Sequence, residues 1–169
     1  MGSTADTACG RAPIGRRAFA TVGRVWGMTD EQVLAFNRTV IDTFRLHDGV
    51  IPEGPLAGNP MILLTTTGAR TGRTHTTPLS YTVDPADGSP IVMASAGGSP
   101  RLPAWAHNLR AEPSVTVEIL DETFGAIAVE TEGDERTRVF DIMVSALPRF
   151  GEYQRSVERV IPLFRLVRR

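Results

Sequence analysis

Lysine is missing from this chain. All 18 basic residues are arginine, so a Schiff base on lysine is excluded and every cation is a planar fork suited to carboxylate or phosphate. Cysteine is almost missing too. Cys9 stands alone in a Gly/Ala/Thr-rich stretch, which rules out an internal disulfide, shows no CxxC or Cys/His metal spacing, and fits a reducing cytoplasm. No run approaches the roughly 20 apolar residues of a membrane span. Arg11, Arg16 and Arg17 have no apolar stretch behind them, so a signal peptide is not expected. Formal net charge is -1, which gives no reason to expect a nucleic-acid partner. GxGxxG, a P-loop, a Ser/His/Asp set and paired carboxylates are all absent. His75 and His107 have no companions at metal spacing, so no metal is expected.

What is present reads as one domain, 25–169, behind a flexible arm, 1–24, with one helical turn around Arg17 to Val22. Thr29-Asp30-Glu31-Gln32 is a capping box. Val33, Phe36, Val40, Ile41 and Phe44 follow at helical spacing up to Gly49, which stops the helix. Val50 to Pro60 holds three Pro and two Gly and reads as a loop. Strands are expected at Met61–Thr67, Thr74–Val83, Pro90–Ala96, Val115–Ile119, Thr123–Thr131 and Val160–Val167, from β-branched, alternating runs between turn residues. Helices are expected at Pro103–Ala111, Asp134–Leu147 and Glu152–Arg159. Several short strands with helices at the start and between later strands predict a mainly β, α+β fold: a small barrel of about six strands plus helices.

Two segments could carry chemistry. The first is the turn Gly68-Ala69-Arg70-Thr71-Gly72-Arg73 after the Leu63-Leu64-Thr65-Thr66-Thr67 strand. Its amides could converge on an anion while arginine adds a bidentate fork; otherwise it is a hairpin turn with solvated side chains. The second is Ala94-Ser95-Ala96-Gly97-Gly98-Ser99-Pro100-Arg101, followed by Pro103-Ala104-Trp105. Paired glycines let a flat ligand or another backbone come close, and Trp105 is either a ligand wall or a core anchor. Phe150 and Tyr153 either cover a pocket mouth or pack the last strand.

Together these segments resemble the deazaflavin-dependent nitroreductase family of the split-barrel flavin-binding superfamily. The matching stretch runs from Asp48 to Pro162. It includes Leu64-Thr65-Thr66-Thr67-Gly68, Thr71-Gly72, Pro78-Leu79, Ala94-Ser95, Gly97-Gly98, Trp105, Asn108-Leu109-Arg110-Ala111, Pro113, Tyr153-Gln154 and Ile161-Pro162. The resemblance implies a split β-barrel, a small-molecule substrate and coenzyme F-420, the reduced 8-hydroxy-5-deazaflavin. It places Arg70, Thr71, Gly72 and Arg73 at the anionic tail. Pro78, Ser95, Gly97, Gly98, Arg101, Ala104 and Trp105 would stand around the phosphate and ring, with Ser95 and Tyr153 at the reacting acceptor. The chemistry implied is hydride transfer to an activated double bond, imine, quinone or nitro group, in redox defence or natural-product tailoring. An FMN-binding split barrel and a non-catalytic lipid or tetrapyrrole carrier are the alternatives. Ala69 and Ala96 stand where the family often has basic residues; Ser80, Leu147 and Phe150 stand where it can have tyrosines. A monomer is expected, in an actinobacterial type of genome.

Overall fold

The structure is a computed structural model that describes residues 28–169. The arm expected over 1–24, its helical turn, and the start of the 25–169 domain lie outside the described residues. The elements in chain order are α1 (Asp30–Leu46), β1 (Met61–Thr67), β2 (Thr74–Ser80), β3 (Thr82–Val83), β4 (Pro90–Met93), α2 (Ala104–Ala111), β5 (Ser114–Ile119), β6 (Glu122–Glu130), α3 (Gly133–Ala146), α4 (Arg149–Arg155) and β7 (Leu163–Arg168).

The capping box forms as the spacing predicts. The Thr29 amide donates to Gln32 Oε1 at 2.8 Å and the Gln32 amide to Thr29 Oγ1 at 3.3 Å. Gly49, at φ +84°, returns its amide to the Phe44 carbonyl at 2.8 Å. A Cβ there would lie 2.2 Å from Leu120 Cα, so the chain can pass the β5–β6 turn only as glycine.

The seven strands pair antiparallel in the order β2-β1-β5-β6-β7-β4-β3. Laid flat, seven strands would put β2 and β3 roughly 30 Å apart. Only Tyr81 separates them in the chain, a reach of about 7 Å. The sheet therefore curls until its two edges nearly meet, which is a barrel split at Tyr81. The alternation across Thr74–Val83 predicts a single strand there, and hence about six in all; the extra strand arises because this segment leaves one edge and joins the other.

Side chains of alternating residues fill the barrel: Ile62 and Leu64, Val92 and Ala94, Val115 and Val117, Ala126 and Ala128, Phe164 and Leu166, closed by Trp105 and Leu109 of α2. The opposite face of β1, Met61 and Leu63, is covered by Val40 and Phe44 of α1. The opposite face of β4, Ile91 and Met93, is covered by α3 and α4. Strands β1 and β4 are thus buried on both sides, which explains their unbroken apolar runs.

Several boundaries differ from expectation: the strand expected over Pro90–Ala96 ends at Met93, where the Ser95 loop begins, and the helix expected over Glu152–Arg159 runs from Arg149 to Arg155. Helix α4 starts three residues early, because Pro148 at φ -54° is already helical and Gly151 brings the helix close to Val144. Strand β7 starts at Leu163, because Pro162 has no amide to give a ladder; its carbonyl accepts from Ala94 N at 2.9 Å. The β3–β4 turn is clamped from outside. Asp84 is fully buried and receives both Arg138 Nη atoms at 2.9 and 2.7 Å. That bidentate bond is the main reason its carboxyl falls from 3.8 to about 2.

Candidate functional site

A cavity of about 760 Å³ opens beside the barrel, with α1, β2, the loop after β4, α2 and α4 all contributing to its wall. That volume suits a ligand of cofactor size. Of the residues singled out from sequence, Pro78, Ser95, Arg101, Ala104, Trp105 and Tyr153 line it. Gly97 and Gly98 belong to the same loop without lining the cavity. Arg70, Thr71, Gly72 and Arg73 are not in the wall; they form the exposed turn at the far end of β2.

Trp105 does both jobs that were open. It is 7% exposed, packs edge-on against Phe164 with ring centroids 5.9 Å apart, and still faces the cavity. Phe150 and Tyr153 likewise line the cavity while packing in the core beneath α4, edge to face at 5.5 Å.

The Ser95 loop is built to present donors. Ala96, Gly97 and Gly98 are all left-handed, at φ +43°, +69° and +74°. Successive residues of that kind make a concave run of amides suited to an anion. Gly98 N is used by Ser95 O at 2.9 Å and Ser99 N by Ala96 O at 3.2 Å. The amides of Ala96 and Gly97 and the hydroxyl of Ser95 take no protein hydrogen bond among the described residues. Arg159 holds the loop from behind. It donates to the carbonyls of Ser99, Ala94, Ser95 and Arg101 at 3.1, 3.0, 3.3 and 3.3 Å.

The Gly68–Arg73 turn is arranged differently. Gly68 N bonds Arg73 O at 2.7 Å, Gly72 N bonds Gly68 O at 2.8 Å, and Thr71 N bonds Gly68 O at 3.3 Å. Arg73 N bonds Thr71 Oγ1 at 3.3 Å and Ala69 N bonds Asn108 Oδ1 at 3.0 Å. The expected convergence of amides on an anion is therefore corrected: most of these N–H groups are consumed in shaping the turn. An anion here would meet the exposed forks of Arg70 and Arg73.

Several residues of the site were not anticipated. Buried Asn108 donates from Nδ2 to Thr66 Oγ1 at 3.0 Å while accepting from Ala69, so it ties the turn to the helix that carries Trp105. Arg149 of α4 reaches Ser80 Oγ at 2.7 Å and sits in the cavity wall. Helix α1 supplies Val33, Phe36 and Asn37 to the wall. The partners of Asn108, Arg149 and Arg159 are tens of residues distant in sequence, and no local pattern marks them. Among the described residues, no group of three His, Cys, Asp or Glu side chains is placed to hold a metal, and no helix is long and apolar enough to cross a membrane.

Known proteins resemble this chain in sequence and fold. A sequence model of the family described as F420H(2)-dependent quinone reductase matches residues 36–167. An F420H(2)-dependent quinone reductase of Mycobacterium tuberculosis is 34% identical over 143 residues, covering 76% of this chain and 92% of that protein. The solved structure of an F420-H2 dependent reductase superposes with a TM-score of 0.58 at 37% identity, over 63% of this chain and 93% of that one. A second solved structure, described as a domain-swapped dimer, gives a TM-score of 0.61 at 32% identity over 82% of this chain and 99% of that one. The chain belongs to the F420H(2)-dependent quinone reductase family.

Proposed function

We propose that this protein uses reduced coenzyme F-420 to reduce a quinone inside the cavity between α1, α2 and α4. The observation that supports it most is the Ser95 loop: open amides at Ala96 and Gly97, next to Trp105 and Arg101, fit an anionic, flat cofactor. Strand β2 has seven residues and spans roughly 20 Å. It separates the arginine-bearing turn from the cavity end at Ser80, which suits a ligand with a ring at one end and a charged tail at the other. Arg70 and Arg73, with Thr71 and Gly72 shaping their turn, would hold the tail. Ser95, Gly97, Gly98 and Arg101 would hold the phosphate, and Pro78, Ala104 and Trp105 the ring.

Bound there, the reduced deazaflavin supplies a hydride from a ring carbon. Reduction of a quinone to a hydroquinone takes that hydride and a proton. The chain's part is to fix the acceptor at short range and to stabilise the negative charge that grows on its oxygen. Ser95 and Tyr153 are the donors we assign to that oxygen, with Tyr153 handing on the proton directly or through water. The backbone of Ser95 is fixed on both sides, since its amide bonds Met93 O at 2.8 Å and its carbonyl is gripped by Arg159.

We read the protein as a monomer in the cytoplasm. In support, α1 already covers the outer face of β1 with Val40 and Phe44. Light scattering at micromolar concentration should give the monomer mass; a stable dimer would reject that reading. The activity is tested by following oxidation of reduced coenzyme F-420 with quinones, enones, imines and nitroaromatics. Turnover with quinones is expected, and no oxidation above background with any of them would refute the proposal.

A further inference from the structure

The Ser95 loop is gripped by a cation that does not reach the cavity. Arg159 follows α4, is half-buried, and is not part of the cavity wall. Its Nε donates to Ser99 O at 3.1 Å, and its Nη2 is shared by the carbonyls of Ala94, Ser95 and Arg101 at 3.0, 3.3 and 3.3 Å. Among the described residues no carboxylate pairs with it, and its Nη1 is buried without an acceptor. Burial lowers the pKa of this arginine, so water solvates the charge poorly. A poorly solvated cation needs charge or dipoles around it; here they are main-chain carbonyls. One of these bonds leads across the loop. The carbonyl of Ser95 and the amide of Ala96 belong to one peptide unit, which is trans. In a trans unit the C=O and N–H point in opposite directions. With the carbonyl on Arg159, the Ala96 N–H is directed away from it, and Ala96 lines the cavity. Ala96 is also held at φ +43°, a left-handed conformation that a residue with a Cβ keeps only where its surroundings impose it. The bonds to Ala94, Ser95, Ser99 and Arg101 bracket that residue. Arg159 is anchored in turn: Gln154 Nε2 donates to its carbonyl at 2.9 Å, while Gln154 Oε1 accepts from Ile161 N at 2.9 Å and from Arg136 Nη2 at 3.0 Å.

We propose that Arg159 is the positioning residue of the phosphate site: its charge, relayed through the Ser95–Ala96 peptide, aims and polarises the Ala96 amide toward a phosphate that Arg159 does not touch. Hydrogen bonds in series strengthen one another, so the amide donates more strongly when its own carbonyl is bonded to a cation. The bound phosphate in turn balances the guanidinium charge across the loop. This rests on the reading of the Ser95 loop as the place where the phosphate of the coenzyme is held.

The test titrates inorganic phosphate into the full chain without coenzyme and follows the backbone amide signals by NMR. In the wild type the amides of Ala96 and Gly97 should move most. Arg159→Met should weaken phosphate about tenfold. Before any phosphate is added, it should also shift the Ala96 amide nitrogen more than that of Gly97. Arg159→Lys should recover part of the affinity, since charge returns without the fork. Gln154→Leu loosens the same segment but leaves the cation, so it should lower the melting temperature and keep phosphate affinity close to that of wild type. Wild-type amides of Ala96 and Gly97 that ignore phosphate would overturn the proposal even if no variant folds. Wild-type affinity in Arg159→Met would also overturn it, and so would equal losses in Arg159→Met and Gln154→Leu, which would make the role one of packing alone. The titration contains no coenzyme, so a failure of turnover with coenzyme F-420 would refute the proposed function and leave this result standing.

Discussion

The two glycine-bearing loops of this molecule look alike as sequence and differ as structures. Gly68-Ala69-Arg70-Thr71-Gly72-Arg73 and Ser95-Ala96-Gly97-Gly98 both follow strands, and both invite the idea of an anion cradle. The first closes on itself: the amides of Gly68, Ala69, Thr71, Gly72 and Arg73 are all bonded, and what it offers is arginine side chains. The second leaves the amides of Ala96 and Gly97 open and is held from behind through its carbonyls by Arg159. The difference is one of reach. A loop whose amides are spent on its own shape can bind only through long, solvated side chains, with modest and salt-sensitive energy. A loop with open amides can grip a ligand at short range in a fixed place. We therefore expect the Ser95 loop to govern cofactor affinity and the Gly68 turn to adjust it.

Substitutions can separate the two, and their expected effects on cofactor affinity fall in a definite order. Gly98→Ala should be the most damaging. Its φ is +74°, and a Cβ would lie 2.6 Å from Ser156 Oγ; left-handed backbone alone costs an L-residue about 1–2 kcal/mol. Titration should show affinity for coenzyme F-420 lowered well over tenfold, with a reduced melting temperature. Gly72→Ala is the matched control in the other loop. It has a similar φ, +67°, but no atom within 4 Å, so it should show the backbone penalty in a melt and almost no change in affinity. Equal losses at the two glycines would erase the distinction drawn between the loops.

Arg70→Ala comes next. Removing an exposed fork from an anionic tail should weaken binding about tenfold, or about 1.4 kcal/mol. Turnover at saturating coenzyme should change much less, and stability should move by no more than about 0.5 kcal/mol. Raising the salt concentration should mimic the substitution in the wild type. Unchanged affinity would make Arg70 a solvated turn residue.

Asn108→Ala should do the reverse. It removes the bonds to the buried Thr66 hydroxyl and to the part-buried Ala69 amide, a loss of about 1–3 kcal/mol in a denaturant titration. Affinity should fall only a few-fold, since the turn is loosened and its arginines stay. The smallest effect on binding is expected at Asp84, which clamps the β3–β4 turn away from the cavity. Arg138 lowers its folded pKa to about 2, so its contribution is complete above the unfolded value, roughly 3.9, and fades as pH falls through the folded one. Wild type should lose melting temperature between pH 4 and pH 2 more steeply than Asp84→Asn, with coenzyme affinity at neutral pH the same in both.

Much of the fold is local and so could be read from the chain. The Thr29–Gln32 capping box, the stop at Gly49 and the β-branched run Met61–Thr67 each depend on neighbours within a few residues. The seam at Tyr81 does not. Thr74 to Val83 alternates like one strand, and only the closure of the barrel decides that it must change edges. The same divide runs through the site. The Gly97-Gly98 loop and the aromatics Trp105, Phe150 and Tyr153 stand out as residue patterns, whereas the places of Ser95 and Ala104 come from the family resemblance. Asn108, Arg149 and Arg159 act through partners on other elements, where an arginine in sequence is simply another surface charge.

We propose that the cavity and its two loops hold a deazaflavin with an anionic tail. Calorimetric titration of the wild-type protein with oxidised coenzyme F-420 and, separately, with FMN tests it most directly. Binding of coenzyme F-420 is expected to be at least tenfold tighter, about 1.4 kcal/mol. Equal affinities, or tighter binding of FMN, would contradict it.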